Sequence, residues 1–197
     1  TASDYDDEEH RRKISIYTSV IPVEHKNYKI NFLDAPGYTD FVGEMISALS
    51  VADGAIILVD AVAGIEVGTE LAWRYCDQFD LPRFFVINKM DRDNADFQKT
   101  YDAIKEFVEA HGKRVVQVHI PIGEKHDFKG VVDVIGMKSY LGDGKTTAEI
   151  PAELKEVAEK AHFAMVEDAA EGEDELMEKY LENGSLSDEE MVRGLED

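Results

Sequence analysis

The sequence predicts an α/β protein, a mostly parallel sheet followed from about residue 120 by a second region of short strands and acidic helices. Three observations carry that prediction. Apolar strand-like runs alternate with helical patterns between residues 28 and 120, which is the signature of βαβ units. Two polar motifs, Asp34-Ala35-Pro36-Gly37 and Asn88-Lys89-Met90-Asp91, each follow such a run directly. The carboxyl ends of strands are where open α/β sheets place their ligands. The texture then changes after Pro121, with short glycine-broken runs first and acidic helical stretches later.

The elements follow in order. Residues 1–13 are polar and acidic and read as irregular. Ile14 to Ile21 mixes β-branched and aromatic residues in a strand composition, with Pro22 pushing its end towards a sheet edge. Tyr28 to Leu33 alternates, and the short polar break at Lys26-Asn27 suggests an antiparallel hairpin between the two runs. Phe41 to Ala52 has helical spacing. Ala55 to Val59 and Phe84 to Ile87 are continuous apolar runs, as expected of strands buried on both faces of a parallel sheet. Glu66 to Phe79 and Asp96 to His111 read as the helices beside them, and Val115 to Ile120 as a further strand. Beyond Pro121, Phe128 to Leu141 holds strand-like pieces. Helical patterns span Pro151 to Asp168, Asp174 to Glu182 and Ser187 to Leu195, the last opened by a capping box with Glu190. A domain boundary is expected near residue 120, dividing 1–120 from 121–197.

Composition excludes several classes. At 197 residues the chain can bury a core, and its hydrophobic content of 44% is ordinary for a globular protein. No apolar run approaches a membrane span, and no secretory leader opens the chain. The one cysteine, Cys76, has no internal disulfide partner, which fits a reducing cytoplasm. Net charge is −21, which argues against direct nucleic-acid binding by this segment. From Glu149 onward there are seventeen acidic and four basic side chains, so the excess is concentrated in the last third. The six histidines show no metal-ligand spacing.

The two motifs carry the chemistry. Asp34 can hold a magnesium ion, directly or through water, and Gly37 can bring a bare backbone N–H to a phosphate. Alone the pair is weak, because Pro and Gly also make ordinary strand-ending turns. Asn88-Lys89-Met90-Asp91 is the sharper signal. Asp91 can accept hydrogen bonds from the N1–H and exocyclic amine of guanine, Asn88 can bind the ring edge, and the Lys89 stem can cover the base plane. A polar turn is the bland alternative. Finding both motifs after apolar runs makes them a strong pair.

Here the sequence resembles the translational GTPases, and within them the elongation factor G family, along essentially the whole chain. Asp34 to Phe41 looks like that family's switch II, and Arg12-Lys13-Ile14-Ser15-Ile16 sits where its switch I has Arg-Gly-Ile-Thr-Ile. Asp53 to Gly64 and Pro82 to Arg92 are close to its text, while Phe128 to Asp133 and the acidic helices resemble its G′ insertion. The resemblance implies a partial P-loop GTPase fold, a doubly wound, mostly parallel sheet lacking its first strand, with an inserted α+β subdomain. It also implies GTP or GDP and Mg2+ as ligands, cytoplasmic location and the ribosome as partner, with the acidic insertion as a candidate contact for ribosomal stalk protein. Ser15 would stand for the switch I threonine at magnesium, Asp34 would reach the same ion through water, and Gly37 would bond the γ-phosphate. Asn88, Lys89 and Asp91 would hold guanine. The implied activity is GTP hydrolysis driving translocation on the ribosome. The alternatives are a GTP-gated ribosome-binding factor with weak hydrolysis, or a related factor such as release factor 3 or a ribosomal protection protein.

Three departures qualify that reading. Tyr38 stands where the family places the histidine that orients the attacking water, and a phenol cannot become a cation near neutral pH. Lys13 replaces a switch I glycine. No G-x-x-x-x-G-K-[ST] phosphate loop occurs, because Gly144-Lys145-Thr146 lacks the first glycine and reads as a turn. The chain therefore reads as a fragment, one expected to bind GTP weakly and to be inactive alone.

Overall fold

The acidic N-terminal run forms a helix rather than an irregular segment. In this computed structural model, which describes residues 3–142 and 144–195, Asp6 caps α1 (Asp7–Arg12) by accepting the Glu8 N–H. Glu9 reaches back to the Asp6 N–H and completes a capping box. Acidic residues fill the first turn and His10, Arg11 and Arg12 the last, which matches the helix dipole. A six-residue helix shows no apolar period, so only its caps could have revealed it.

The chain folds as two compact units. The first holds the described residues up to Val59 and Ile65–Val86; the second holds Asp60–Gly64 and the described residues from Ile87 onward. In the first unit β1 (Ser19–His25) and β2 (Tyr28–Asp34) form the expected antiparallel hairpin, with Ser19 opposite Asp34 and His25 opposite Tyr28. Lys26 and Asn27 take φ of 46° and 68°, the left-handed pair that a two-residue hairpin turn requires. The first strand begins at Ser19, not Ile14. The backbone N–H groups of Ile16 and Tyr17 are spent on the Glu9 carboxylate instead of a strand partner. Pro22 sits inside β1, tolerated because a two-stranded sheet has only edge strands.

A short 3-10 turn (Thr39–Phe41) leads into α2 (Val42–Leu49), then β3 (Ala55–Asp60), α3 (Val67–Gln78) and β4 (Arg83–Asn88). The Ala55 N–H bonds the Pro82 carbonyl and the Ala61 N–H the Asn88 carbonyl, so β3 and β4 run parallel. The expectation that both strands are buried on two faces is wrong. Ile57 and Val59 are buried, yet Ile56, Leu58, Phe84 and Val86 are 54%, 62%, 63% and 42% exposed. One face is sealed from α3, where Trp73 stacks on Phe85 at 5.8 Å and the Arg83 guanidinium lies 4.1 Å from the Trp73 ring centroid. Nothing in the described residues seals the other. The pairs β1–β2 and β3–β4 are separate sheets, as a doubly wound P-loop GTPase sheet lacking its first strand should be.

The second unit contains α4 (Phe97–Ala110) and a four-stranded antiparallel meander. Its strands are β5 (His119–Ile122), β6 (Gly130–Asp133), β7 (Lys138–Leu141) and β8 (Thr146–Ala148). The run expected as a strand over 115–120 is thus displaced, and it pairs antiparallel with β6. Gly144, at φ 75°, lies in the turn before β8, so Gly144-Lys145 forms no phosphate loop. Helices α5 (Lys155–Gly172), α6 (Asp174–Asn183) and α7 (Asp188–Gly194) follow. Pro151 precedes a 3-10 turn (Ala152–Leu154), so α5 starts later than expected. Ile120, Ile122, Val132 and Val134 of the sheet pack on Ala158 and Met165 of α5. Val166, Ala169, Ala170, Leu176 and Met191 join the three helices. Gly194 allows that closeness, because a Cβ there would overlap the Ala169 carbonyl oxygen. The expected capping box between Ser187 and Glu190 is present.

Candidate functional site

The sequence-predicted residues fall into two groups, one in each unit. In the first unit, Asp34 is the last residue of β2 and exposed, and its carboxylate accepts the Ser3 hydroxyl. Ser15 is half-buried and donates its hydroxyl to Asp4 at 2.8 Å. The consecutive residues Ser3 and Asp4 therefore bring Ser15 and Asp34 into one neighbourhood. Gly37 is exposed, with open space where a Cβ would stand. Tyr38 is 57% exposed, and its carbonyl accepts the Phe41 N–H that opens the 3-10 turn.

A hydroxyl and a carboxylate are the hard oxygen donors that magnesium prefers, and that ion commonly keeps water and substrate phosphates as its remaining ligands. Among the described residues no group of three or more His, Cys, Asp or Glu could hold a metal. The donor set thus fits an ion shared with a phosphate and does not fit an all-protein metal cage.

Sequence reading missed Glu9. It is fully buried, and its two oxygens accept the N–H groups of Tyr5, Asp6, Ile16 and Tyr17 at 2.8–3.0 Å. These bonds, led by that of Ile16, hold its carboxyl well down, at about 2. Glu9 thereby ties α1 to the backbone beside Ser15. Its native pKa lies below the unfolded value, so its contribution is complete above about pH 4.5 and drains away towards pH 2. Asp60 and Glu190 are held equally low and act in the same window. Urea titrations of the protein should show stability falling as pH drops from 5 to 3. Glu9→Gln should be less stable at pH 7 and show a shallower acid dependence; a slope unchanged from wild type would contradict this assignment.

In the second unit Asn88, the last residue of β4, is brought together with Lys89 and Asp91 on the loop that follows. Met90 is buried against Ala61 and Ala95, which anchors the loop from its inner side and leaves Asp91 exposed on the outer one. The Asn88 carbonyl oxygen of the side chain accepts the Lys89 N–H at 2.8 Å, so its amide NH2 remains the group suited to a ring-edge acceptor. Lys89 holds φ 61°, a left-handed conformation that costs a non-glycine residue about 1–2 kcal/mol. Asp91 lines a shallow cavity of about 360 Å³ with Val62, Arg92, Asp93, Asn94 and His126. Across it the His126 ring pairs with Asp93 at 2.7 Å.

Asp60 was also missed, although it ends an apolar run just as Asp34 does. One oxygen accepts the Val62 and Ala63 N–H groups. The other accepts the Lys89 ammonium at 2.7 Å and the Arg92 guanidinium at 3.4 Å. The Lys89 bond is the largest cause of its carboxyl being lowered to about 2.

The family model of the elongation factor Tu GTP-binding domain matches residues 1–188. Elongation factor G of Thermotoga petrophila is 40% identical over 198 residues, covering 98% of this chain and 28% of that protein. Elongation factor G of Thermotoga maritima is 40% identical over 200 residues, covering 99% and 28%. A crystal structure from Thermus thermophilus superposes with a TM-score of 0.85 at 32% identity, over 98% of this chain and 29% of that one. The chain thus spans less than a third of the length of these relatives. On a match across nearly all its residues, the chain belongs to the elongation factor Tu GTP-binding domain family, with elongation factor G among its relatives.

Proposed function

We propose that this chain forms the guanine-recognising and switch-bearing part of an elongation factor G-like GTPase that hydrolyses GTP to drive translocation on the ribosome. The observation that supports this best is the end of β4 and the loop after it, where Met90 is buried and Asn88, Lys89 and Asp91 are exposed together. Asp91 accepts from the guanine N1–H and amine, Asn88 donates to the ring edge, and the Lys89 stem lies over the base. Ser15 and Asp34 take the magnesium side and the Gly37 N–H the γ-phosphate. Magnesium, when bound, neutralises phosphate charge. Loss of the γ-phosphate releases the segments around Ser15 and Gly37, an order–disorder switch.

The functional division follows the sequence boundary. Residues 1–120 serve as the partial GTP-binding domain, and 121–197 as an acidic insertion that meets the ribosomal stalk. No helix among the described residues is long and apolar enough to cross a membrane, which accords with action in the cytoplasm.

The test compares the full-length protein with the 197-residue chain. The full-length protein should bind GDP in preference to ADP and hydrolyse GTP faster when ribosomes are added. The chain alone contains no G-x-x-x-x-G-K-[ST] motif to supply the backbone cradle for the β- and γ-phosphates. It should show no measurable hydrolysis and only weak GDP binding by calorimetry. Equal affinity of the full-length protein for ADP and GDP would reject the guanine reading. A second reading rests on Tyr38: a GTP-gated ribosome-binding factor with slow hydrolysis, distinguished by single-turnover rates on ribosomes.

A further inference from the structure

We infer that Asp60 is a positioning residue for guanine binding, holding the Lys89 side chain in the place where its stem covers the base. The inference rests on the guanine reading of Asn88, Lys89 and Asp91 and extends it to the last residue of β3.

The geometry separates two tasks on one carboxylate. Its Oδ1 accepts the Val62 N–H at 2.8 Å and the Ala63 N–H at 3.4 Å, which shapes the turn that Asp60 closes with Gly64. Its Oδ2 faces the loop after β4 and accepts the Lys89 ammonium at 2.7 Å. Arg92 shares that oxygen at 3.4 Å, a weaker contact. The Asp60 side chain is only 15% exposed, whereas that of Lys89 is 45% exposed. Asp60 is therefore the fixed member, held by its backbone bonds, and Lys89 the long member that needs fixing. A lysine stem left to itself samples many rotamers, and ordering it upon binding costs affinity. A partner that orders the stem beforehand removes that cost. Arg92, three residues on, gains nothing comparable at its distance.

The same division makes the test selective. In Asp60→Asn the side-chain oxygen stays with the two backbone donors, and the amide NH2 then faces the Lys89 ammonium, donor against donor. The turn survives and the Lys89 bond is lost. In the full-length protein, Asp60→Asn should raise the Kd for fluorescently labelled GDP about tenfold, mainly through faster dissociation, while the melting temperature without nucleotide falls no further than in Lys89→Met, which breaks the same ion pair. Lys89→Met, which keeps the stem and drops the charge, should also weaken binding. The double variant should then bind no more weakly than Lys89→Met, because Asp60 acts only through that ammonium. Unchanged GDP affinity in Asp60→Asn overturns the inference, as does a double variant whose loss is the product of the two single losses. A loss of affinity accompanied by a fall in melting temperature larger than that of Lys89→Met also overturns it, since that marks a purely structural role. Asp91→Asn separates the two levels. If GDP binding collapses in Asp91→Asn but persists in Asp60→Asn, only the inference fails; if Asp91→Asn binds GDP normally, the guanine reading fails and takes the inference with it.

Discussion

Replacing Asp91 by asparagine is expected to raise the Kd for GDP by about 10²–10⁴-fold in the full-length protein and to reverse its preference towards xanthosine diphosphate. A carboxylate there accepts from two guanine donors, N1–H and the 2-amine, and each hydrogen bond to a charged group contributes roughly 1.5–3 kcal/mol. Asparagine keeps one acceptor and sets an NH2 against the guanine amine. Xanthine carries an oxygen at that position, so the same NH2 finds an acceptor. Once a base covers Asp91, a hydrogen-bonding group left unpaired against it is costly, and that makes the discrimination strong. The loop geometry makes the substitution clean. Asp91 is exposed, with its neighbour Met90 in the core, so a near-isosteric change should leave the fold unaltered. Competition between GDP and XDP is the measurement, and retained preference for GDP would remove Asp91 from the site.

Tyr38→His is expected to raise ribosome-stimulated GTP turnover by about 10²-fold, the lower end of what a positioned proton acceptor supplies. Tyr38 holds φ −77° and ψ 136°, backbone that histidine adopts freely, and its side chain is largely exposed. The exchange therefore imposes no packing or conformational strain. GDP affinity should change little, because the residue lies outside the base-binding loop. The pH profile provides a second readout. An imidazole titrates near pH 6.5, so the variant's rate should fall below that value, where the tyrosine protein shows no matching step. An unchanged turnover number would mean that Tyr38 does not stand beside the attacking water.

The sequence carried more of this site than of the scaffold around it. Asn88, Lys89 and Asp91 were legible because a short polar motif follows an apolar run, and the structure does bring them together at the end of β4 and in the loop after it. The hairpin was legible from alternation and its Lys26-Asn27 break, and the last helix from its Ser187–Glu190 capping box. Strand burial was not. Ala55 to Val59 reads as apolar on both faces, but only neighbouring elements determine whether Ile56 and Leu58 are covered, and here they are exposed. The start of β1 escaped for a related reason. Residues 14–18 have strand composition, yet Glu9 takes the N–H groups of Ile16 and Tyr17 that a strand would have offered to a partner.

The same distinction separates the chemistry. Which side chains are suited to a guanine edge and which to magnesium depends on donor and acceptor type, and those are properties of the residues themselves. By itself the sequence determined the family, the order of most elements, and the identity of the groups on the two motifs. How those groups are held was decided only by tertiary structure. Asp60 lies twenty-nine positions from Lys89 and the carboxylate of Glu9 spans eight residues to Tyr17. No single helix or strand spans either separation, so no local pattern announces them. A buried or half-buried carboxylate must find its donors wherever the folded chain presents them, and that is known only once the backbone has closed around it.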